Sequence, residues 1–191
     1  MKNSLPLLLI FLALNISINT IAQVPCTPVQ QTPNLCAAAR DHRTTPGTPE
    51  KYYLFTFLFK AAGLKQVDGY YTDPNRYEIL RAFWKKNYAC ISCEEEFGAF
   101  PEGGLLRQIV MSDFEEAAYW ICGVGTTSRF KLDLNVKDGT DSLTIIDWIH
   151  KERARGTDIP ETDHALLNKY EKLFTEHGAM TSEQLKAVNC K

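Results

Sequence analysis

The residues best suited to chemistry are two cysteines, Cys90 and Cys93, in the segment CISC. Cysteines at this spacing can cycle between dithiol and disulfide when a helix N-terminus or nearby cations stabilise the thiolate. Three glutamates at residues 94–96 follow instead, and negative charge raises the pKa of a thiol. We therefore expect Cys90 and Cys93 to form structural disulfides. An exported thiol–disulfide enzyme that uses these two cysteines is the alternative.

No second pattern in the sequence indicates catalysis or metal binding. A zinc site needs four ligands at suitable spacing, and Cys122 has no matching partner motif. The chain contains no Gly-x-Ser-x-Gly segment for a nucleophile. The doublet formed by Gly103 and Gly104 lacks the spacing of a phosphate-binding loop. The sequence therefore predicts a protein that is not an enzyme, with no catalytic residue, no metal and no cofactor.

The N-terminal residues 1–22 have the layout of a secretory signal peptide. Lys2 provides the positive start, residues 5–14 are apolar apart from Pro6, and the small residue Ala22 marks the expected cleavage site. The apolar run is shorter than the roughly 20 residues that a membrane-spanning helix needs. We expect a periplasmic or secreted protein that is not inserted in the membrane after the signal is removed.

All six cysteines follow this segment, and an even number in an exported chain favours disulfides. They are Cys26, Cys36, Cys90, Cys93, Cys122 and Cys190. The short separation predicts a local bridge between Cys26 and Cys36. The other four cysteines would then share two bridges, one of which would hold the C-terminus through Cys190.

Size and charge narrow the class of partner. The chain has 191 residues and a formal net charge of −2, and removal of Lys2 makes the charge one unit more negative. Residues 23–191 are few enough for one domain. A negative chain is a poor match for nucleic acid or an anionic membrane surface, so a protein partner is favoured.

Apolar periodicity and capping residues predict a mainly helical chain. Residues 23–47 are rich in proline, threonine and glutamine and are interpreted as an irregular N-terminal arm, and residues 48–191 as a single helical domain. Helices are expected to begin near Thr48, Asp73, Leu105, Ser112, Leu143, Glu161 and Thr181. Ser112 and Glu115 have the spacing of a capping box, as do Thr181 and Gln184.

The segment LDLNVKDG, residues 132–139, interrupts this helical pattern. Leu132, Leu134 and Val136 alternate with polar residues, as in a short strand or an extended finger. An Asp-Gly turn at residues 138–139 follows. We expect Gly139 to adopt a positive φ, which a β-branched residue resists.

The order of helix, turn, helix, finger and next helix resembles the ankyrin repeat. The segment LDLNVKDGTDSLTIIDW is similar to the family pattern ADVNAKDGxTPLHLA, and residues 141–144 stand where the family has Thr-Pro-Leu-His. Leu106 and Leu143 occupy equivalent places 37 residues apart, against a family period of about 33. The resemblance covers roughly residues 101–185. It implies stacked helix pairs of ankyrin-like solenoid type with short extended fingers, stapled by disulfides.

The resemblance also implies a function. Ankyrin-like units stack because none buries its apolar face alone, and their fingers form a surface that recognises another protein. The residues expected to bind the partner are Arg129, Lys131, Asp133, Lys137 and Asp141. The chain looks like divergent ankyrin-like exported proteins of Bacteroidetes type, some of which neutralise antibacterial toxins as immunity proteins. One protein partner is expected, and the resemblance implies that it is such a toxin. A structural component of the cell envelope is a further alternative.

Overall fold

The computed structural model describes residues 26–41, 51–95, 100–156 and 160–189, which are mainly helical. The helices of these residues are α1 (Thr32–Arg40), α2 (Lys51–Ala61), α3 (Arg76–Asn87), α4 (Leu105–Met111), α5 (Glu115–Cys122), α6 (Ile145–Arg153), α7 (Glu161–Glu176) and α8 (Ser182–Asn189). The predicted signal peptide, residues 1–22, and Cys190 lie outside the described residues.

The helices pack around one continuous apolar core. Helix α1 contacts both α2 and α4, and α2 also contacts α5, so these four helices form two stacked pairs. Helices α6 and α7 form another pair, and α7 reaches α4. Leu58, Leu106 and Ile149 from three of these helices are completely buried, which shows that the pairs share their core.

Helix α1 corrects the prediction of an irregular arm. Pro33 lies in its first turn, where a missing backbone donor costs nothing. Leu35 and Ala39, four residues apart, are fully buried against the neighbouring helices. The apolar stripe of this helix is only nine residues long and is flanked by loop-forming residues, so the composition concealed it.

Side-chain caps begin α6 and α8, whereas α1, α3, α4, α5 and α7 begin without one. The expected box at the start of α8 is confirmed, because the Thr181 N–H donates to Gln184 Oε1 at 2.8 Å. Ser112 does not begin α5. Its N–H donates to the Gln108 carbonyl at 2.9 Å, so it closes α4, and the chain then turns through Asp113 at φ 54°. A box that was not predicted begins α6, where Thr144 caps the Asp147 N–H.

The finger forms no strand among the described residues, and its Leu134 and Asn135 lie in a turn. The two short strands of those residues lie elsewhere, at β1 (Ser92–Cys93) and β2 (Gly103–Gly104). They pair antiparallel, with Ser92 opposite Gly104 and Cys93 opposite Gly103. This two-stranded sheet places the CISC segment beside the start of α4.

Candidate functional site

The finger presents one row of side chains to the core and the other to solvent. Leu132, Leu134 and Val136 are buried, with 2, 4 and 8 % of their surface exposed. Lys131 and Lys137 on the opposite face are exposed. The expected alternation is confirmed, and the polar row is available to a second molecule.

Helix α3 holds the length of the finger in place. The Trp84 indole N–H donates to the Asp133 carbonyl at 2.8 Å. One turn earlier, the Arg81 guanidinium donates to the Arg129 carbonyl at 2.7 Å. These bonds occupy main-chain groups of the finger and of the segment just before it, so they fix its path and leave its polar side chains facing outward.

Gly139 packs the finger against Ala89. The predicted positive φ is not the reason for a glycine at this position. Gly139 is not among the residues with positive φ. A Cβ atom at this position would lie 1.8 Å from the Ala89 carbonyl oxygen. The residue with left-handed backbone in this turn is Ser142, at φ 60°. Close approach of two backbones therefore selects glycine at residue 139.

A buried ion cluster anchors the turn of the finger to α4. Arg107 is 4 % exposed, and its Nε lies 3.1 Å from Asp138 Oδ2. Its guanidinium also pairs with Asp141. Asp138 accepts hydrogen bonds from the Gly104 N–H and, at 2.9 Å, from the Thr140 N–H. A buried arginine with two carboxylate partners is held in one geometry, which makes the turn rigid.

The electrostatics of this cluster favour the charged state of Asp141. Burial alone would raise the pKa of the Asp141 carboxyl, but its hydrogen bond and ion pair with Arg107 outweigh burial, and its pKa is lowered. The phenol of Tyr88 lies in the same cluster and is uncharged. Its hydroxyl oxygen accepts the Leu106 N–H at 3.1 Å, and burial followed by the charge of Asp138 raises the pKa of its phenol.

Asn135 links the finger to the loop between α7 and α8. Its side-chain amide donates to the Gly178 carbonyl at 3.1 Å, and its Oδ1 accepts the Met180 N–H at 2.8 Å. Gly178 has the positive φ, 96°, expected of the glycine that ends α7. The finger is thus fixed to the helices on both sides.

The structure separates the five residues expected to bind a partner into two groups. Arg129, Lys131, Asp133 and Lys137 are exposed, and we call them the finger surface. Asp141 instead turns inward to Arg107 and accepts the Leu143 N–H at 3.2 Å. Asp141 therefore makes the turn rigid, because this acid, two residues after Gly139, pairs with the buried Arg107 guanidinium.

The cysteine pairing differs from the predicted one. Cys26 pairs with Cys90 and Cys36 with Cys93, at Cα–Cα distances of 5.2 and 5.7 Å. The local bridge between Cys26 and Cys36 is therefore wrong. The residue Cys36 lies on α1, and the packing of α1 beside β1 brings it to Cys93 instead. Both cysteines of the CISC segment are occupied by partners from the N-terminal region.

Cys122 also corrects the prediction, because it forms no disulfide. It is buried at the end of α5 as a free thiol. Burial raises the pKa of this thiol to about 12, against a smaller opposite effect of Lys131. A thiol that is neutral and buried packs as a small apolar side chain.

A cleft of about 1190 Å³ separates α1 from the CISC segment and the finger turn. Both cysteine pairs, Arg40 and Thr140 are among the residues that line it. The Arg40 guanidinium donates to Gln108 Oε1 at 3.0 Å and to the Glu94 carbonyl. Its donors thus connect α1 to α4 and to the segment after β1, which gives Arg40 a structural role in this cleft.

One exposed feature was missed in the sequence. Val67 and Tyr70 lie opposite each other in a short hairpin before α3 and are 56 and 74 % exposed. The signal was present, because Asp68 and Gly69 form an Asp-Gly dipeptide between apolar residues, which is typical of a two-residue hairpin turn.

The described residues form neither a metal-binding cluster nor a membrane-spanning helix. In that part of the chain, no group of three or more histidine, cysteine, aspartate or glutamate side chains is arranged to hold a metal ion. Its helices are all too short or too polar to cross a membrane.

Comparison of the chain with models of protein families, with curated protein sequences and with solved structures gives no match. The geometry of the finger and its surroundings therefore carries the functional argument.

Proposed function

We propose that this protein is an exported protein-binding module with ankyrin-like stacking, which holds one protein partner on its finger surface. The observation that carries the proposal is the construction of the finger. Its main chain is bonded to α3, its turn is locked to Arg107, and Arg129, Lys131, Asp133 and Lys137 face outward. A preorganised surface loses little conformational entropy on binding.

Three features support the ankyrin-like arrangement. Helices α1 and α2 stack on α4 and α5, as successive repeats do. The finger connects α5 to α6. Residues 141–144, which stand where the family motif has Thr-Pro-Leu-His, lead into α6, and Thr144 caps the Asp147 N–H at the start of that helix.

The specific form of the proposal is immunity to a delivered antibacterial toxin in the periplasm or outside the cell. The location rests on the N-terminal sequence and on the two cysteine pairs, which are typical of oxidising compartments. The proposal that the partner is a toxin rests on the resemblance to ankyrin-like exported proteins. A structural envelope component would have the same location and would have no dedicated partner on the finger surface.

Charge reversal on the finger tests the binding proposal. The full chain and its Lys131→Glu/Lys137→Glu variant are used to isolate partners from the native envelope after cross-linking. Lys172→Glu/Lys186→Glu is the matched control, because it makes the same change of charge at two exposed lysines on α7 and α8. We expect a stoichiometric partner with the wild type and the control, and a loss of at least about tenfold with the finger variant.

Absence of a stoichiometric partner, or equal loss with both variants, would contradict a dedicated finger surface. For the immunity form, the full chain is produced in a sensitive cell together with a candidate toxin from the neighbouring gene. We expect growth with the wild type and not with the finger variant. Equal growth with both variants would refute this form.

A further inference from the structure

A second exposed feature, the hairpin of residues 67–70, extends the binding surface. The Val67 N–H donates to the Tyr70 carbonyl at 2.8 Å, and the Tyr70 N–H donates back to the Val67 carbonyl at 3.0 Å. Asp68 and Gly69 between them have φ angles of 50° and 81°. This is the left-handed pair that a tight hairpin turn requires, so the positions of Val67 and Tyr70 are fixed.

The exposure of these two side chains contrasts with the burial of apolar residues beside them in the chain. Leu64 and Tyr71, on either side of the hairpin, pack onto the core. Val67 and Tyr70 instead leave more than half of their surface in water. Water-exposed apolar surface contributes nothing to folding. In contrast, a rigid exposed tyrosine is a common energetic centre of protein interfaces.

The hairpin and the finger surface both adjoin one aromatic cluster in the sequence. The Tyr71 ring lies 4.8 Å from the ring of Phe59, which lies 5.8 Å from the ring of Phe130. Phe130 stands between Arg129 and Lys131 in the finger. The Tyr71 hydroxyl also donates to the Thr56 carbonyl at 3.0 Å, which ties the base of the hairpin to α2.

The surroundings of the finger are positively charged although the chain is negative. Lys85 follows Arg81 by one turn of α3 and so projects from the side that contacts the finger. Arg81 and Lys85 together with Arg129, Lys131 and Lys137 make five cations. The carboxylates of α3, the finger surface and the hairpin are Glu78, which lies 3.6 Å from Arg81, Asp133, which accepts the Asn135 N–H at 2.9 Å, and Asp68, so the cations remain in excess.

We infer that Val67 and Tyr70 anchor the protein partner by filling an apolar pocket on it, and that the rim of that pocket is acidic and faces the cations of α3 and the finger. The inference deepens the proposed function and rests on it. Charge complementarity favours an acidic protein over a second copy of this chain, because in a symmetric pair through this surface the same cations would face one another. The apolar pair favours a protein over nucleic acid, which offers phosphates to the cations and no apolar pocket.

Site-specific photo-cross-linking is the first test. A benzophenone amino acid replaces Tyr70 in the full chain, and in a matched variant it replaces Val188, which is 59 % exposed on α8. Both variants are irradiated in the native envelope. We expect one protein adduct from residue 70 and none from residue 188, with an acidic peptide at the cross-linked position. No adduct, equal adducts or an adduct to a second copy of this chain would overturn the inference.

The second test measures the Kd between this protein and the partner that cross-linking identifies, with both proteins purified separately. Because Tyr70 is exposed, Tyr70→Ser is expected to leave the thermal midpoint unchanged and to weaken Kd by at least about tenfold. The matched Val188→Ser is expected to change Kd by less than about twofold. An unchanged Kd for Tyr70→Ser would overturn the inference.

The two proposals fail in different ways. If Lys131→Glu/Lys137→Glu weakens binding and Tyr70→Ser does not, the finger surface stands and the hairpin anchor is wrong. If neither variant weakens binding, both are wrong. Vesicles of phosphatidylcholine with phosphatidylserine and a random-sequence duplex DNA serve as competing probes. Binding of either probe that is lost in Tyr70→Ser would overturn the assignment to a protein partner.

Discussion

At the residue scale, close packing and paired charges decide which side chains the finger tolerates. Gly139 lies against the Ala89 carbonyl, and Arg107 is enclosed by Asp138 and Asp141. Neither role involves the outward face of the finger. Substitutions of these residues should therefore act on stability, while substitutions of Lys131 or Lys137 should act on binding.

We predict that Gly139→Ala lowers the free energy of unfolding by about 1–3 kcal/mol, the usual cost of overpacking a tight site. The added Cβ would lie 1.8 Å from the Ala89 oxygen, so one of the two backbones must move. The matched control is Gly125→Ala, at φ 59° with nothing within 4 Å of the added atom. It measures backbone strain alone, about 1–2 kcal/mol. Denaturant unfolding that gave equal losses would contradict the steric explanation.

The pairing of Asp141 predicts a loss of stability in acid. Its pKa is lowered in the folded protein, where the contacts with Arg107 outweigh the effect of burial. A group with a lowered folded pKa contributes stability that is fully present above its unfolded pKa of about 3.9 and is lost as the pH falls through the folded value. We expect Asp141→Asn to reduce the difference in unfolding free energy between about pH 6 and pH 3.

The matched control for this pH prediction is Asp133→Asn, which changes an exposed carboxylate of the finger. Its pH dependence should follow that of the wild type. Urea unfolding at each pH measures the difference. A pH dependence of Asp141→Asn identical to that of the wild type would show that the pair with Arg107 does not couple folding to protonation.

At the scale of secondary-structure elements, the position of α1 determines the role of the CISC segment. Helix α1 is packed between α2 and α4 and also contacts β1. This arrangement brings Cys36 to Cys93 and Cys26 to Cys90. A thiol–disulfide enzyme would instead close the CISC segment on itself in its oxidised state. The observed pairing makes the segment a double attachment point for the N-terminal region.

We predict that peptide mapping of the non-reduced protein finds the pairs Cys26–Cys90 and Cys36–Cys93. Each pair closes a loop of about 60 residues, so its loss in Cys36→Ser/Cys93→Ser should cost about 4 kcal/mol. Cys122→Ala is the control that leaves both pairs intact. Mapping of a Cys90–Cys93 bridge, together with insulin reduction by the purified protein, would support the enzyme alternative.

At the scale of the whole molecule, the sign of the charge changes from place to place. The chain has a net charge of −2, yet the surface near the finger carries the five cations Arg81, Lys85, Arg129, Lys131 and Lys137. An acidic partner would be attracted to this side and weakly repelled by the rest. Such an arrangement raises the association rate and orients the partner before contact.

This distribution predicts that the association rate with the partner falls as salt is raised, because ions screen exposed charges beyond about 10 Å at 0.1 M ionic strength. Lys131→Glu/Lys137→Glu should slow association at low salt and show a weaker salt dependence. The dissociation rate should instead respond to Tyr70→Ser. Surface plasmon resonance at several salt concentrations separates the two rates. An equal salt dependence of the wild type and the finger variant would contradict electrostatic attraction through the finger.

Local patterns predicted the elements that depend on neighbouring residues. The helices from α2 to α8, the Thr181–Gln184 cap, the glycine that ends α7 and the alternation of the finger all follow from contacts within one or two turns of the chain. The same reasoning located four exposed residues of the candidate site, because an extended segment turns every second side chain outward.

Features that join distant residues required the tertiary structure. The cysteine pairs span separations of 64 and 57 residues, and no local signal selects them from the possible pairings. The inward turn of Asp141 depends on Arg107, and the need for glycine at residue 139 depends on Ala89. Likewise, the Asp-Gly turn indicates a hairpin, but only the packing of Tyr71 on Phe59 decides that Tyr70 faces water. The periodicity of the sequence predicts which residues are buried, whereas the packing between elements determines which residues they contact.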